Sequence, residues 1–309
     1  MIRTDSLTKF YGRRCAVKDL TVSIAEHEIV GFLGLNGAGK TTTLRMLAGL
    51  LAPSSGRIEI NGRDVAADSA EHRWQIGFLP ERPPLYDDMT VRGFLDFAAR
   101  LRGYDDATVD RRVDEVTELC ALGEYKDEVI ANLSHGYRQR VGIGQAVIHE
   151  PALVILDEPI SGLDPVQIVE MRSLIRNLKE RHTVLLSSHN LPEIGQTCDR
   201  LLVIQSGELV MTGSEADLAV GEGGRFRVEV SGSKAEVDAA FEKLTQDGLL
   251  DEVRVEGEGP FSCVVRIKQG EPEELSRALV EAGLGLRRMQ PAAAELESLF
   301  MKLTKGGEA

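Results

Sequence analysis

Hydrophobic residues group along the chain in two ways. Glu28–Leu33, Ala152–Leu156, Val184–Ser187 and Leu201–Ile204 are short, nearly unbroken apolar runs, the pattern of strands covered on both faces. Between them, apolar positions recur at helical spacing. Thr41–Leu50 puts Leu44, Leu47 and Ala48 on one face and exits at Gly49 and Pro53, and Val166–Glu180 and Pro192–Thr197 read as further helices. This alternation predicts a mainly parallel sheet with helices packed on it, an α/β fold. Two strands lead in, Met1–Thr8 and Ala16–Ile24, and Arg57–Ile60 closed by Asn61-Gly62 reads as one arm of a hairpin. From Val91 to about Glu150 the pattern is helical, with VRGFLDFAARLRG and ATVDRRVDEVTELCALG each stopped by glycine. That stretch reads as an inserted helical subdomain, about 82–150.

The texture changes after Gly213. Gly221-Glu222-Gly223-Gly224 marks a linker. Beyond it RFRVEV, the helix-like AEVDAAFEKLTQDG, DEVRVEG, SCVVRIK and the helical EPEELSRALVEAG form two strand–helix units, and AELESLFMKLT follows as a last helix. The expected division is a first domain over 1–213 and a small accessory α+β domain, ferredoxin-like in kind, over 222–309.

Composition narrows the function. At 309 residues and 42% apolar, the chain can bury a sizeable core. Thirty-six basic against 49 acidic residues leave a formal charge of −13, which argues against a nucleic-acid partner. The region from Ser214 onward, with 19 acidic and 12 basic residues, adds no basic arm. Cys15, Cys120, Cys198 and Cys263 lie far apart with no C-x-x-C pair, so they read as reduced thiols of a cytosolic protein. No run approaches the roughly 18 apolar residues of a membrane-spanning helix, and MIRTDSLTKFYG lacks a secretory h-region. The expectation is a cytoplasmic protein, peripheral at most to a membrane.

Chemistry concentrates at a few places. Gly34-Leu35-Asn36-Gly37-Ala38-Gly39-Lys40-Thr41 is a G-x-x-x-x-G-K-[ST] loop between an apolar strand and a helix, continued by Thr42. Its glycines let backbone N–H groups curl around phosphate oxygens, and the helix N-terminus adds positive potential. Lys40 is expected to reach the β- and γ-phosphates and the Thr41 hydroxyl to ligate Mg²⁺, making ATP and Mg²⁺ the expected cofactors. A second run, Leu153–Leu156, ends in Asp157-Glu158, which places two carboxylates at the C-terminal edge of a parallel strand beside that loop. Asp157 is expected to hold Mg²⁺ and Glu158 to act as general base on water. A buried strand ending in two acids is commonplace alone; the phosphate loop gives it meaning. Ser134, before a helical stretch, is a ready N-cap whose hydroxyl joins the helix N–H groups in an anion site.

Asn132-Leu133-Ser134-His135-Gly136-Tyr137-Arg138-Gln139-Arg140 resembles the L-S-G-G-Q signature of ABC-transporter ATPases. Ser134 and Gly136 match that form, while His135 and Tyr137 stand where it has a Gly and its Gln. The other landmarks follow in the family's order. Tyr11 matches the aromatic residue that stacks on adenine, Ser161-Gly162-Leu163-Asp164 the D-loop, and His189 the switch histidine facing the γ-phosphate. The resemblance covers Met1 to about Gly213. It implies a P-loop NTPase cassette whose signature faces the phosphate loop of a second cassette, so that a dimer encloses the nucleotide. One landmark departs. The family's Q-loop Gln is replaced by Glu81 after Ile76-Gly77-Phe78-Leu79-Pro80, and the carboxylate is expected to remain an oxygen ligand to the metal.

LPE at that loop, SHGYRQR and the ELESLF tail are most similar to ATP-binding subunits of ABC-2-type exporters, the drug-resistance, sodium-efflux and gliding-motility group. The implied function is ATP hydrolysis coupled to a separately encoded polytopic membrane subunit. A soluble ABC ATPase of translation, DNA repair or cluster assembly is the competing reading, with no second cassette and no heptad run to support it. A pure binding module leaves Lys40, Asp157 and Glu158 unexplained, and a P-loop kinase leaves the signature and D-loop unexplained.

Overall fold

Ile29–Leu33 carries no polar side chain, and in the computed structural model all its residues are buried, as in a strand covered on both faces. The structure describes residues 1–65, 74–214, 225–256, 260–268 and 272–291. Ile29–Leu33 (β4) lies inside a six-stranded sheet. From edge to edge the sheet runs Glu208–Gly213 (β11), Arg200–Gln205 (β10), β4, Thr183–Ser188 (β9), Leu153–Leu156 (β8) and Ile76–Leu79 (β7). Every neighbouring pair is parallel except β10 with the edge strand β11. The carboxyl ends of β4, β7, β8 and β9 therefore share one edge, where their following loops meet.

A second, antiparallel sheet covers the first. Ile2–Tyr11 (β1) pairs with Arg14–Leu20 (β2), Ser23–Ile24 (β3) and Ser55–Ile60 (β5), and β5 pairs with Arg63–Asp64 (β6). Asn61 and Gly62 join β5 to β6 with φ of 51° and 75°, the left-handed pair of a tight hairpin turn. The apolar faces of both sheets enclose Lys40–Leu47 (α1), with Phe32, Leu44, Leu47, Ile60 and Ile155 in one core.

The helical insertion consists of Val91–Leu101 (α2), Val109–Leu119 (α3) and His135–Val147 (α4). Thr90 caps α2 by accepting from the Gly93 N–H. Buried Arg112 of α3 donates to the Val147 and Ile148 carbonyls, satisfying the C-terminal end of α4 and pinning the insertion's helices together. Pro165–Leu178 (α5) and Leu191–Gly195 (α6) return the chain to the sheet.

Residues Glu215–Ala309 form a separate unit. Its order is Arg225–Ser231 (β12), Lys234–Gln246 (α7), Leu250–Glu256 (β13), Phe261–Ile267 (β14), Pro272–Glu281 (α8) and Gly285–Pro291 (β15). The sheet runs β13-β14-β12-β15, all antiparallel. This β-α-β-β-α-β order, with its first and third strands at the centre of the sheet, is ferredoxin-like. Strand β15 has no sequence signal of period two. A bulge opposite Glu229 and Val230 skips Arg287, so its core residues Leu286 and Met289 stand three apart. The expected helix AELESLFMKLT lies outside the described residues.

Candidate functional site

The loop after β4 turns sharply because its glycines permit it. Gly39 has φ of 109° and packs so tightly that a Cβ would sit 2.5 Å from the Ala16 carbonyl oxygen. Gly34 is equally confined, 2.5 Å on the same measure from the Ile204 carbonyl. Lys40, at the start of α1, is almost fully buried. Its Nζ donates to the Gly34 carbonyl at 2.6 Å and lies 3.3 Å from Glu158 Oε1. The ammonium is thus folded over the loop that its own peptide groups form.

The acidic end of β8 sits opposite. Buried Asp157 accepts from the Ser187 hydroxyl at 2.6 Å and from the Thr41 hydroxyl at 3.3 Å. Glu158 is held in left-handed backbone, φ 51°, and its N–H donates to the same Ser187 oxygen at 2.9 Å. A non-glycine residue in that region stores strain, which surrounding structure must impose. His189, after β9, brings Nδ1 to 2.9 Å from Glu158 Oε2. A carboxylate only accepts, so Nδ1 carries the proton there. Glu158 therefore has a cation on one oxygen and an imidazole N–H on the other.

Lys40, Thr41, Glu158 and His189 line a cleft of about 460 Å³, with Asp157 and Ser187 outside its lining. Tyr11, Asn36, Gly37, Gly39, Lys40, Thr41, Thr42, Glu81, Glu158 and His189 all border it, as the sequence implies. Tyr11 ends β1 half exposed, with Lys9 Nζ 5.6 Å from its ring centre. Glu81 is exposed at the mouth. Ala38 turns the other way, its side chain in the core and its N–H donated to Leu35. Among the described residues no three His, Cys, Asp or Glu side chains converge as a closed metal cage. The Thr41 hydroxyl and Asp157 carboxylate instead converge beside a phosphate loop. Such hard oxygen donors suit an ion that shares its shell with phosphates.

The signature residues stand elsewhere. Ser134 occupies the N-cap of α4 with extended backbone, yet its hydroxyl accepts no bond from the helix N–H groups, contrary to the capping expected. Gly136 packs against α5 so closely that a Cβ would meet Gln167 Oε1 at 2.7 Å. Asp164 caps α5, accepting from the Val166 and Gln167 N–H groups. None of the three borders the cleft that holds Lys40.

A family model for ABC transporters matches residues 17–161. The bacitracin transport ATP-binding protein BcrA of Bacillus licheniformis is 36% identical over 311 residues, 99% of this chain and 98% of that protein. The chain belongs to the ABC transporter ATP-binding proteins. The linearmycin resistance ATP-binding protein LnrL of Bacillus subtilis is 30% identical over 311 residues, 98% of each chain. A solved ATP-binding subunit of an ABC transporter superposes on this ABC ATPase with a TM-score of 0.63 at 32% identity, covering 71% of this chain and 91% of that one. Both sequence alignments run through the C-terminal unit as well as the cassette.

Within the cassette two residues of the site escape sequence reading, one bonded to both acids and one bordering the cleft. Ser187 links both acids through one hydroxyl, and its only signal is the Ser-Ser before His189. Arg14 borders the phosphate loop from β2, where nothing in the sequence distinguishes it from a surface arginine.

Proposed function

We propose that this ABC ATPase binds ATP with Mg²⁺ between two copies of itself and drives export through a separately encoded membrane subunit. The observation that carries the reading is the division of its landmarks: one cleft gathers Lys40, Thr41, Glu81, Glu158 and His189, while Ser134 and Gly136 lie outside it. A free helix N-terminus with an uncommitted serine hydroxyl is an anion site in want of an anion, and a second copy supplies one. Thr41 and Asp157 would hold Mg²⁺, with Glu81 as a further oxygen donor, and the ion would neutralise charge on the phosphates.

In the cleft, the loop N–H groups and Lys40 bind the phosphates, and Tyr11 offers a face for the base. Glu158 takes the proton of the attacking water as its oxygen bonds to the γ-phosphorus and the bridge to the β-phosphate breaks. His189 keeps the Glu158 carboxylate oriented. Ser187 fixes that residue's backbone while holding Asp157. The membrane subunit finds a place on the insertion: Tyr86, Phe94 and Phe97 stack edge to face with centroids 6.0 and 5.7 Å from Tyr86. Beside them Leu101 is 67% exposed. No helix among the described residues is long and apolar enough to cross a membrane. Full-length similarity to bacitracin-transport and linearmycin-resistance proteins supports an antibiotic-exporting role.

The isolated chain is expected to hydrolyse ATP only with Mg²⁺. Glu158→Gln should lower turnover by about 10²–10⁴-fold while ATP still binds, measured by phosphate release and fluorescent-nucleotide titration. Near-native turnover would remove Glu158 from the role of base.

A further inference from the structure

Among the described residues, Lys40 and Arg14 are the lysine and arginine that line the cleft, and they differ in what they touch. Lys40 spends its ammonium on the chain itself. Its Nζ donates to the Gly34 carbonyl at 2.6 Å and the Leu35 carbonyl at 3.4 Å, and lies 3.3 Å from Glu158 Oε1. An ammonium has three N–H donors, so all three are engaged. Arg14 is exposed, and among the described residues its guanidinium has no carboxylate partner and no hydrogen bond.

The turn between β1 and β2 sets where Arg14 stands. Gly12 and Arg13 form a two-residue hairpin turn, Gly12 at φ 58°, and Tyr11 lies directly opposite Arg14 in the ladder. Directly opposed residues of an antiparallel pair share one face, and both of these line the cleft. The guanidinium reaches the phosphate loop, since a Cβ placed on Gly37 would stand 3.7 Å from Arg14 Nη2. Gly37, at φ 84°, carries no side chain to hold the guanidinium away from the loop's peptide groups. Arg13, at the tip, is exposed and does not border the cleft. The formal charges of the lining cancel, Arg14 and Lys40 against Glu81 and Glu158. Nucleotide phosphates add several negative charges to that balance, and the planar fork of an arginine takes phosphate oxygens two at a time.

We propose that Arg14 is a further ATP-binding residue: its guanidinium takes phosphate oxygens beside Gly37 while Tyr11, its neighbour across the hairpin, takes the base. One hairpin thereby holds both ends of the nucleotide. The contact forms on binding and persists through hydrolysis, so it acts on affinity and leaves the chemical step to Glu158. The proposal rests on the reading that ATP occupies this cleft.

The test is ATP titration and steady-state hydrolysis by the full chain at low and high NaCl. Arg14→Ala, at an exposed position, should fold normally and raise both Kd and KM for ATP about tenfold at low salt, with kcat unchanged. Arg14→Lys keeps the charge without the fork and should recover part of the loss. Arg13→Ala changes the net charge equally and should leave Kd within about twofold, which sets a contact apart from the general field. Salt should shrink the Arg14→Ala deficit, because charges at an exposed site are screened. An Arg14→Ala Kd equal to wild type, an equal loss in Arg13→Ala, or a loss carried by kcat alone would overturn the assignment. Lys40→Ala separates the layers. If it abolishes ATP binding while Arg14→Ala binds as wild type, only this inference falls. If neither variant alters ATP binding, the nucleotide does not occupy this cleft and both readings fall.

Discussion

The two units of the chain bury different things. Within Met1–Ser214, Lys40, Arg112, Arg140, Asp157 and Glu158 are all withdrawn from solvent. Among the described residues of the C-terminal unit no charged side chain is buried. Its core is Val228, Val230, Phe241, Val265, Leu275 and Leu279 with their apolar neighbours. Burying a charge costs several kcal/mol unless partners compensate it, so each such group calls for a local reason. In the first unit Lys40 and Glu158 line the nucleotide cleft and compensate each other across 3.3 Å, and Asp157 accepts from Thr41 beside them, while Arg112 holds helices of the insertion together. The described core of the second unit, by contrast, is apolar, with its ion pair Arg266–Asp251 outside that core.

Exchanging the kind of damage done to each unit gives the largest expected effect. Lys40→Ala leaves Glu158 without its cation and the phosphates without theirs, and should weaken ATP binding by about 3–5 kcal/mol. Leu279→Ala, fully buried, should cost the C-terminal unit about 2–5 kcal/mol in unfolding free energy while ATP binding by the cassette survives. Nucleotide titration and calorimetry on both variants read the two outcomes. Equal losses of ATP binding would mean the units are not energetically distinct.

Acid should separate the units by a smaller margin. His149 is largely buried against Trp74, its Nε2 lies 3.1 Å from the Ile76 carbonyl, and its Nδ1 has no partner among the described residues. Burial, with the nearby Arg102 charge, pushes its pKa down to about 4 from 6.5. The unfolded chain therefore takes a proton below about 6.5 that the folded chain refuses until about 4. Stability from this group is complete above the upper value and is lost as pH falls through that window. With the ring partly open to solvent, the loss is about 1–2 kcal/mol. The region after Ser214 contains no histidine. His149→Leu should flatten the cassette's decline in melting temperature between neutral and acid pH; an unaltered slope would place the sensitivity elsewhere.

Much of this was legible in the sequence because the chemistry is local. Gly39-Lys40-Thr41 and Asp157-Glu158 each follow an apolar strand, and parallel neighbours carry their ends to one edge. The hairpin at Asn61-Gly62 was legible for the same reason. What escaped depends on long-range contact. Ser187 matters only because β9 lies beside β8, which lets one hydroxyl serve both acids. Strand β15 hides because a bulge breaks its alternation. The uncommitted Ser134 hydroxyl could not be read either, since serine before a helix ordinarily caps it.

The central claim is that the charged cleft of one copy is completed by the signature end of another. Glu158→Gln retains Lys40, the phosphate loop and α4 while stopping turnover, so light scattering of that protein with ATP and Mg²⁺ tests the claim directly. The account predicts a species near twice the 33.8 kDa chain mass that reverts to the monomer when nucleotide is removed. A mass of one chain at saturating ATP would contradict it.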